Sequence, residues 1–377
     1  MGGSVLPPLL VQPPPPQRRQ DQSREPGPPL SLQEAFPPTF HLRISGRSAI
    51  RAPLEISVAI DPKAAKPPWL KVRAPSGERY RWLRAQRVEL ELATVCEEAR
   101  CPNIGECWAE GTATFMVMGA ICTRGCRFCA VTTRKQGLHL DDQEPAKLGR
   151  TIAAMQLNYI VITSVDRDDL PDQGAQHFAD CVRAVQEQAP GTRIEVLHPD
   201  FRGDRDLVKI VAASGADVLG HNVETIRRLT PKVRDPRCGY EQSLNVLRYS
   251  KETSPERFTK SSIMVGHGES EEEVAECMGD LRHAGVDLLT VGQYLRPSSK
   301  YMPVEEYVHP EQFARYEQLG RDLGFLYVAS GPLVRSSYRA GEFFISALLD
   351  ERGSAFPRIP NGPRRSVQTH QRLQVIN

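Results

Sequence analysis

At 377 residues, with 40% hydrophobic and 25% charged residues, the chain has a globular composition and room for one large catalytic domain with extensions, or for two domains. A net charge of +2 supplies no basic footprint for nucleic acid, and no apolar stretch approaches the ~18 residues of a membrane span. The N-terminus lacks an apolar signal core, so secretion is not expected. Six of the nine cysteines fall between Cys96 and Cys129, which in a non-secreted chain reads as metal binding rather than disulfides.

Residues 1–65 form a leader unlike the rest. Its first forty residues hold eleven prolines, including Pro13 to Pro16. Proline cannot donate to a ladder, and so low an apolar content does not offset the entropy of ordering, so disorder is expected. Arg18, Arg19, Arg24, Arg43, Arg47 and Arg51 suit an organelle transit peptide. Asp21, Glu25 and Glu34 interrupt them, however, and such peptides are poor in acids. The expected location is a bacterial cytoplasm, with a mitochondrion or plastid as the alternative.

An N-terminal extension, 66–113, follows. Tyr80–Ala93 has apolar residues at helical intervals with basic residues between, the pattern of one surface helix. It leads to Cys96, Cys101 and Cys107, spaced C-x4-C-x5-C. Pro102 and Gly105 keep this stretch from running on as regular helix, so it can curl and gather three sulfurs. Zinc knuckles more often use cysteine pairs two to four residues apart and need four ligands; a zinc reading stays open but is one ligand short.

The run Thr114–Gly119 reads as a buried strand ended by a glycine. The loop after it, Cys122-Thr-Arg-Gly-Cys126-Arg-Phe-Cys129, carries three more cysteines in C-x3-C-x2-C spacing. Thiolates are soft ligands that suit zinc or iron–sulfur clusters. No further cysteine lies within the next fifty residues. A four-iron cluster on three thiolates keeps one iron open for a substrate. Two triplets, each one ligand short, fit two such clusters better than two zincs. Cys181, Cys238 and Cys277 are scattered and read as packed residues.

From Thr114 onward, apolar runs alternate with amphipathic stretches. Strands are predicted at Thr114–Gly119, Tyr159–Val165, Arg193–His198, Val218–Glu224, Lys260–Gly266 and Leu288–Leu295. Helices are predicted at Pro145–Leu157, Ala175–Gln188, Arg205–Ser214, Tyr240–Ser250, Ser270–Ala284 and Pro310–Leu323. This rhythm predicts an α/β fold, a partial (β/α)6 barrel of the TIM type over 114–330, with its site at the C-terminal strand ends. The Cys122 loop leaves the first strand at that end.

Polar groups gather at other strand ends. Thr163, Ser164, Asp166, Asp168 and Asp169 follow the second strand; His221, Asn222 and Glu224 follow the fourth. Such groups need partners, and a ligand bearing an amine, a carboxylate and a ribose supplies them. Asp168 and Asp169 also suit a turn cap, and His221 suits a satisfied core histidine and is given no role. Arg296 suits either an anion contact or the surface. A C-terminal segment, 331–352, holds Arg335-Ser-Ser-Tyr338 before the helix-like Ala340–Leu349, where Ser336 and Ser337 suit an N-cap. The polar, basic tail 353–377 reads as flexible.

As a set, these features resemble the lipoyl synthases of the radical S-adenosylmethionine superfamily. The resemblance covers about residues 66–350 and rests on both cysteine spacings, on Thr163–Leu170 and on Arg335-Ser-Ser-Tyr338. It implies that Cys122, Cys126 and Cys129 hold a reducing four-iron cluster, whose open iron takes S-adenosylmethionine and whose electron yields a 5′-deoxyadenosyl radical. These three cysteines and Ser337 are the expected catalytic residues. Thr163, Ser164, Asp166, Asn222 and Glu224 are the expected S-adenosylmethionine contacts. The resemblance also implies that Cys96, Cys101 and Cys107 hold an auxiliary four-iron cluster, with Ser337 rather than Ser336 as fourth ligand. That cluster is the sulfur donor. An oxygen ligand is harder than a thiolate, which suits an iron that must leave.

The implied reaction inserts sulfur at carbons 6 and 8 of an octanoyl chain, amide-linked to a lysine of a carrier protein. Lipoyl domains of 2-oxoacid dehydrogenases and the glycine-cleavage H protein are the expected carriers, and a ferredoxin or flavodoxin the expected electron donor. No nucleic acid or membrane partner is expected. Two positions depart from the family pattern: Ala120 stands where an acidic residue is usual, and His267 where a leucine is usual. The rival within the class is another auxiliary-cluster enzyme, biotin synthase-like or methylthio-transferring. The rival outside it is an interaction module stabilised by two zinc sites.

Overall fold

The structure, a computed structural model, describes residues 66–71, 81, 82, 84, 85, 93, 94, 97, 101, 103–109 and 112–337. The leader, Cys96, Tyr338, the stretch Ala340–Leu349 and the tail lie outside the described residues. The chain divides into two units, Met1–Glu55 and Ile56–Asn377, and everything described here belongs to the second.

One sheet organises the protein. A short edge strand, β1 (Ala93–Thr94), pairs antiparallel with β2 (Thr112–Val117). Two short strands, β3 (Ile121–Cys122) and β4 (Thr132–Thr133), form a separate parallel pair. From β2 the sheet continues in parallel through β5 (Tyr159–Ser164), β6 (Arg193–Leu197), β7 (Val218–Gly220), β8 (Phe258–Val265), β9 (Leu288–Gln293) and β10 (Tyr327–Gly331). After α1 (Ile104–Ala109), helices α2 (Glu144–Met155), α3 (Ala175–Gln188) and α4 (Arg205–Ala212) follow β2, β5 and β6. A short α5 (Thr230–Val233) and then α6 (Tyr240–Thr253) follow β7; α7 (Glu271–His283) follows β8, and α8 (Pro310–Asp322) follows β9. Parallel strands need such crossovers, and six of them return the chain to a sheet whose two ends do not pair: a partial TIM-type barrel.

The side-chain alternation of β5 shows how the layers form. Ile160 and Ile162 are fully buried in the core that also takes in residues of α2 and α3. Tyr159 and Val161 point the other way and pack with Val218, Phe258 and Leu288 inside the barrel. Beside them the carboxylate of buried Glu195 accepts from Tyr159 Oη at 2.7 Å and from Lys260 Nζ at 2.7 and 2.9 Å. Nearer the C-terminal strand ends, Thr114, Met116, Thr163, Leu197, Ser262, Met264 and Gly292 border open space.

Two expectations need correction. The predicted helix Tyr80–Ala93 stops short of its last residue: 81, 82, 84 and 85 are helical, but Ala93 is strand, paired with Met116 on the outer edge of β2. Edge pairing outweighs local periodicity there. The sheet also has a seventh parallel strand, β10, in a stretch for which the sequence pattern predicts no element. Tyr-Val-Ala-Ser-Gly offers little strand signal of its own. It becomes a strand by pairing with β9 from Tyr327↔Leu288 to Gly331↔Gly292.

Candidate active site

Strand β2 ends in a forced turn. Met118 and Gly119 both have positive φ, 65° and 81°, and the Met118 N–H donates to Glu144 Oε2 at 2.9 Å. The chain then enters the cysteine loop, whose base is closed where Ile121 pairs with Thr132 and Cys122 with Thr133. Further out, Arg127 N donates to Val233 O at 2.9 Å and Met302 N to Arg127 O at 3.1 Å. The loop is thus clamped at its foot and at its tip.

Two of the three loop sulfurs accept hydrogen bonds from fixed backbone. Cys122 Sγ accepts from Arg124 N and Asp166 N, both at 3.4 Å, and Cys126 Sγ from Asp235 N at 3.3 Å. Burial, aided by the Asp166 carboxylate, pushes the Cys122 thiol up to about 12. A hydrogen bond to Cys238, together with burial, pushes Cys126 well up, and burial raises Cys129. Left alone these are thiols at neutral pH; a metal that binds them displaces their protons.

Arg124 holds the loop to the barrel. Its side chain is 1% exposed. It forks onto Asp168 at 2.8 and 2.9 Å, reaches Asp200 at 2.6 Å and lies 3.5 Å from Asp166. Asp168 also receives Arg202 at 3.1 Å and Arg237 at 2.9 Å. Burial opposes the ionisation of Asp168, but Arg124 and the two outer arginines outweigh it and hold the carboxyl below its usual range. Asp168 is therefore the shared counter-ion of three arginines, beyond any role as a turn cap. Asp169 pairs with Arg167 at 2.8 Å and accepts from Gly137 N at 3.1 Å.

The groups expected to meet S-adenosylmethionine all border one cavity of about 580 Å³. Thr163 Oγ1 donates to Leu197 O at 2.8 Å, while Ser164 Oγ is buried with no partner among the described residues. Asp166 is pushed up to about 6 by burial, against the pull of Arg124. Asn222 Nδ2 donates to Glu224 Oε1 at 3.1 Å; Glu224 sits at φ 70°, bridged to Ile263, and burial raises its carboxyl. The acceptors and the orphan hydroxyl suit an amine and ribose hydroxyls. His221 is the satisfied core histidine: Nδ1 meets His198 O at 3.0 Å, Nε2 meets Ser243 Oγ at 2.9 Å, and burial pulls it down to about 3. Arg296 gives its donors to Tyr301 O and Ser299 O at 2.9 and 2.7 Å.

The same cavity is bordered by the second set. Cys101 and Cys107 reach it from either side of the start of α1, and Ser336 and Ser337 reach it from the C-terminal segment. Asn103 Nδ2 donates to Leu333 O at 2.7 Å, joining extension to C-terminal segment. Gly292 lets that segment cross β9, since a Cβ there would lie 2.2 Å from Val334 O. Burial raises the Cys101 thiol, opposed by the Asn103 backbone and by the charge of Arg335. Arg335 donates to Val334 O at 2.6 Å through Nη1, while its Nη2 is buried with no partner among the described residues. The described donors are of the kind the implied groups need: thiols from two stretches border one space, with a hydroxyl and a guanidinium nitrogen that have no partner among the described residues.

Sequence reasoning missed the arginine–aspartate network and Cys238. Arg124 was visible inside the triplet, but nothing marked Asp200 or Cys238 as its neighbours.

Comparison with known proteins gives a consistent result. A family model of the radical SAM superfamily matches residues 116–281, and one of the N-terminal domain of lipoyl synthase matches residues 56–101. A lipoyl synthase of Anaeromyxobacter dehalogenans is 57% identical over 289 residues, covering 77% of this chain and 98% of that protein. One from Thermus thermophilus is 56% identical over 282 residues, covering 75% and 87%. The mitochondrial lipoyl synthase of Branchiostoma floridae is 54% identical over 297 residues, covering 78% and 79%.

Proposed function

The chain belongs to the lipoyl synthase family of radical S-adenosylmethionine enzymes, and from that premise we propose how its cavity divides the work. The enzyme inserts two sulfurs, at carbons 6 and 8 of a protein-bound octanoyl-lysine, and uses two four-iron clusters with S-adenosylmethionine. Cys122, Cys126 and Cys129 hold the reducing cluster. Cys101 and Cys107, with Cys96 and Ser337, hold the auxiliary cluster that supplies the sulfur. The observation that carries this division is the convergence of Cys101, Cys107, Cys122, Cys126, Cys129, Ser336 and Ser337 on one cavity.

When bound, these groups supply an electron, a radical able to take hydrogen from an unactivated carbon, and sulfide; acid–base chemistry reaches neither carbon. The protein supplies positions. The backbone N–H groups of Arg124, Asp166 and Asp235 favour charge on two loop sulfurs. Asp166 and Glu224 accept from the amine and hydroxyls of S-adenosylmethionine, and Ser164 Oγ gains the partner it otherwise lacks. The Asn103–Leu333 joint and the segment over Gly292 cover the auxiliary side, which keeps water from a reactive chain. Met116, Leu197 and Met264 give the octanoyl chain apolar wall.

The carrier is a lipoyl domain or H protein, met through a small transient contact, and the electron comes from a ferredoxin or flavodoxin. No nucleic acid takes part; the net charge of +2 gives it no surface. Among the described residues no helix is long and apolar enough to cross a membrane. The acid-interrupted arginines of the leader favour a bacterial cytoplasm. The chain divides into a leader (1–65), an extension (66–113), a barrel (114–330), a C-terminal segment (331–352) and a tail (353–377), although the lipoyl synthase match begins at residue 56, inside the leader.

The test is a single turnover of anaerobically reconstituted protein with an octanoyl-lysine peptide, S-adenosylmethionine and dithionite, followed by mass spectrometry. Two added sulfurs with 5′-deoxyadenosine formed alongside support the reading. Deoxyadenosine without a sulfurated peptide refutes the substrate, and neither product from fully iron-loaded protein refutes the activity. Cys126→Ala should abolish deoxyadenosine formation, and Cys101→Ala should permit it while blocking sulfur insertion; the reverse pattern would exchange the two triplets.

A further inference from the structure

The cysteine loop serves two spaces, and the chemistry so far described uses one. Cys126, Phe128 and Cys129 border the cavity, whereas exposed Arg127 between them borders a separate hollow of about 430 Å³. Three other stretches complete that hollow: α5 with Leu229 before it, the turn at His267 and Gly268 after β8, and the segment from Met302 to Glu305 after β9. They are tied to the loop tip. Arg127 N donates to Val233 O at 2.9 Å, Arg127 Nη1 to Lys232 O at 3.3 Å, and Met302 N to Arg127 O at 3.1 Å.

The hollow has an apolar wall at Leu229, Met302 and Pro303 and a cationic one at Arg127, Arg228 and Lys232; Glu305 is its one carboxylate among the described residues. Arg228 is spent on Glu273, at 2.6 and 2.8 Å. Arg127 and Lys232 are exposed and meet no carboxylate among the described residues, and the same holds for Arg134 and Lys135 at the foot of the loop. In a chain whose net charge is +2, unpaired positive charge is thus concentrated on this one loop and its neighbour α5. An apolar patch rimmed by one sign of charge is the anatomy of a contact for a partner of the other sign.

We propose, on the assignment of Cys122, Cys126 and Cys129 to the reducing cluster, that the hollow beside Arg127 and its cationic rim are the docking surface of the electron donor, a protein that presents carboxylates around its redox group. One electron leaves the donor and one enters the cluster, with no bond made or broken. On the cavity side, S-adenosylmethionine and the octanoyl chain cover the cluster once bound. The exposed side stays open, and there Arg127 is joined by a peptide bond to Cys126. The carrier protein suits this surface less well: its acyl-lysine must enter the cavity, which neither Arg127 nor Lys232 borders. Encounters between redox proteins use small, weak interfaces, and complementary charge speeds and orients them, so a few unpaired cations suffice.

The experiment uses the full-length protein with both clusters, and flavodoxin, an acidic one-electron carrier, as the probe. Calorimetry reads binding of the oxidised probe at low and at high salt, and deoxyadenosine formation is followed with the reduced probe or with dithionite. Lys232→Glu should keep full iron content and the parent's dithionite rate. It should weaken flavodoxin binding about fivefold or more at low salt and slow the flavodoxin-driven rate by a similar factor. Lys232→Gln should lie between the two, Arg127→Glu added to Lys232→Glu should weaken binding further, and high salt should remove most of the differences. Lys209→Glu, the same charge change on α4, should bind like the parent. Parent-like binding and flavodoxin-driven rate in Lys232→Glu overturn the proposal, as does a parent that binds no flavodoxin. An equal loss in Lys209→Glu overturns it too, because net charge would then be the cause. Weaker binding of an octanoylated H protein, with flavodoxin binding unchanged, gives the surface to the carrier and also overturns it. The premise is tested apart: if Cys126→Ala still forms deoxyadenosine with dithionite, the cluster assignment falls whatever the surface binds.

Discussion

Replacing Arg124 by lysine keeps a positive charge in the cysteine loop and removes the fork. The guanidinium makes three close contacts with carboxylates, two to Asp168 and one to Asp200. A lysine ammonium is a compact point donor and, at that position, satisfies one of them directly. A hydrogen bond to a charged group contributes about 1.5–3 kcal/mol, so losing two costs roughly 3–6 kcal/mol. That is a large part of the ~5–15 kcal/mol that holds a folded domain. Asp168 retains Arg202 and Arg237, so the deficit falls on buried Asp200, whose Oδ2 has no partner among the described residues even in the parent. The expected result is a thermal midpoint lower by roughly 10 °C, with iron lost from one cluster before the barrel unfolds. Anaerobic circular dichroism against temperature, with iron analysis of protein held below the transition, reads both. A midpoint within a degree or two of the parent's, at full iron content, would refute the claim that this network holds the loop.

Three further outcomes are expected. Lys260→Met leaves buried Glu195 with Tyr159 alone and should cost about 3–5 kcal/mol, whereas Lys260→Met with Glu195→Leu should recover most of it; equal losses in urea unfolding would refute the pairing. His267 is 4% exposed, neither ring nitrogen has a hydrogen-bond partner among the described residues, and burial pulls it down to about 4. Its unfolded form takes up a proton below pH ~6.5 and its folded form does not until about pH 4, so folding stability present at neutral pH is lost as pH falls through that window. His267→Leu should therefore stabilise by about 1–3 kcal/mol and flatten the acid side of the stability–pH curve; an unchanged slope would count against it. Gly292→Ala should press on Val334 O and shift the segment carrying Ser336 and Ser337, giving deoxyadenosine at the parent's rate but at least tenfold less lipoyl product; normal product would mean that the close approach is not needed.

What the sequence carried was the short-range part. The helix Ala175–Gln188 matches its periodicity residue for residue, and six strand–helix alternations survive with ends moved by a few positions. The cysteine spacings gave candidate ligands, because a metal loop needs its sulfurs close in sequence. β10 was illegible since its five residues become a strand only against β9. Ala93 was misread because the free edge of β2 decides its state. Arg124 meets Cys238 across 114 residues and Asp200 across 76, and no local pattern encodes a contact at such distances. The strand-end rule did place Thr163, Ser164, Asp166, Asn222 and Glu224 around one space, because parallel strands share a direction.

The joint between Asn103 and Leu333 spans 230 residues and gives the two sites different histories. On a ribosome, the clamps of the Cys122 loop are all in hand once Met302 has been made, since its partners run from Ile121 to that residue. The other side of the cavity draws on Cys101 and Cys107 and then waits for Ser336 and Ser337. The Cys122 loop can therefore close while the opposite wall of the cavity is still incomplete.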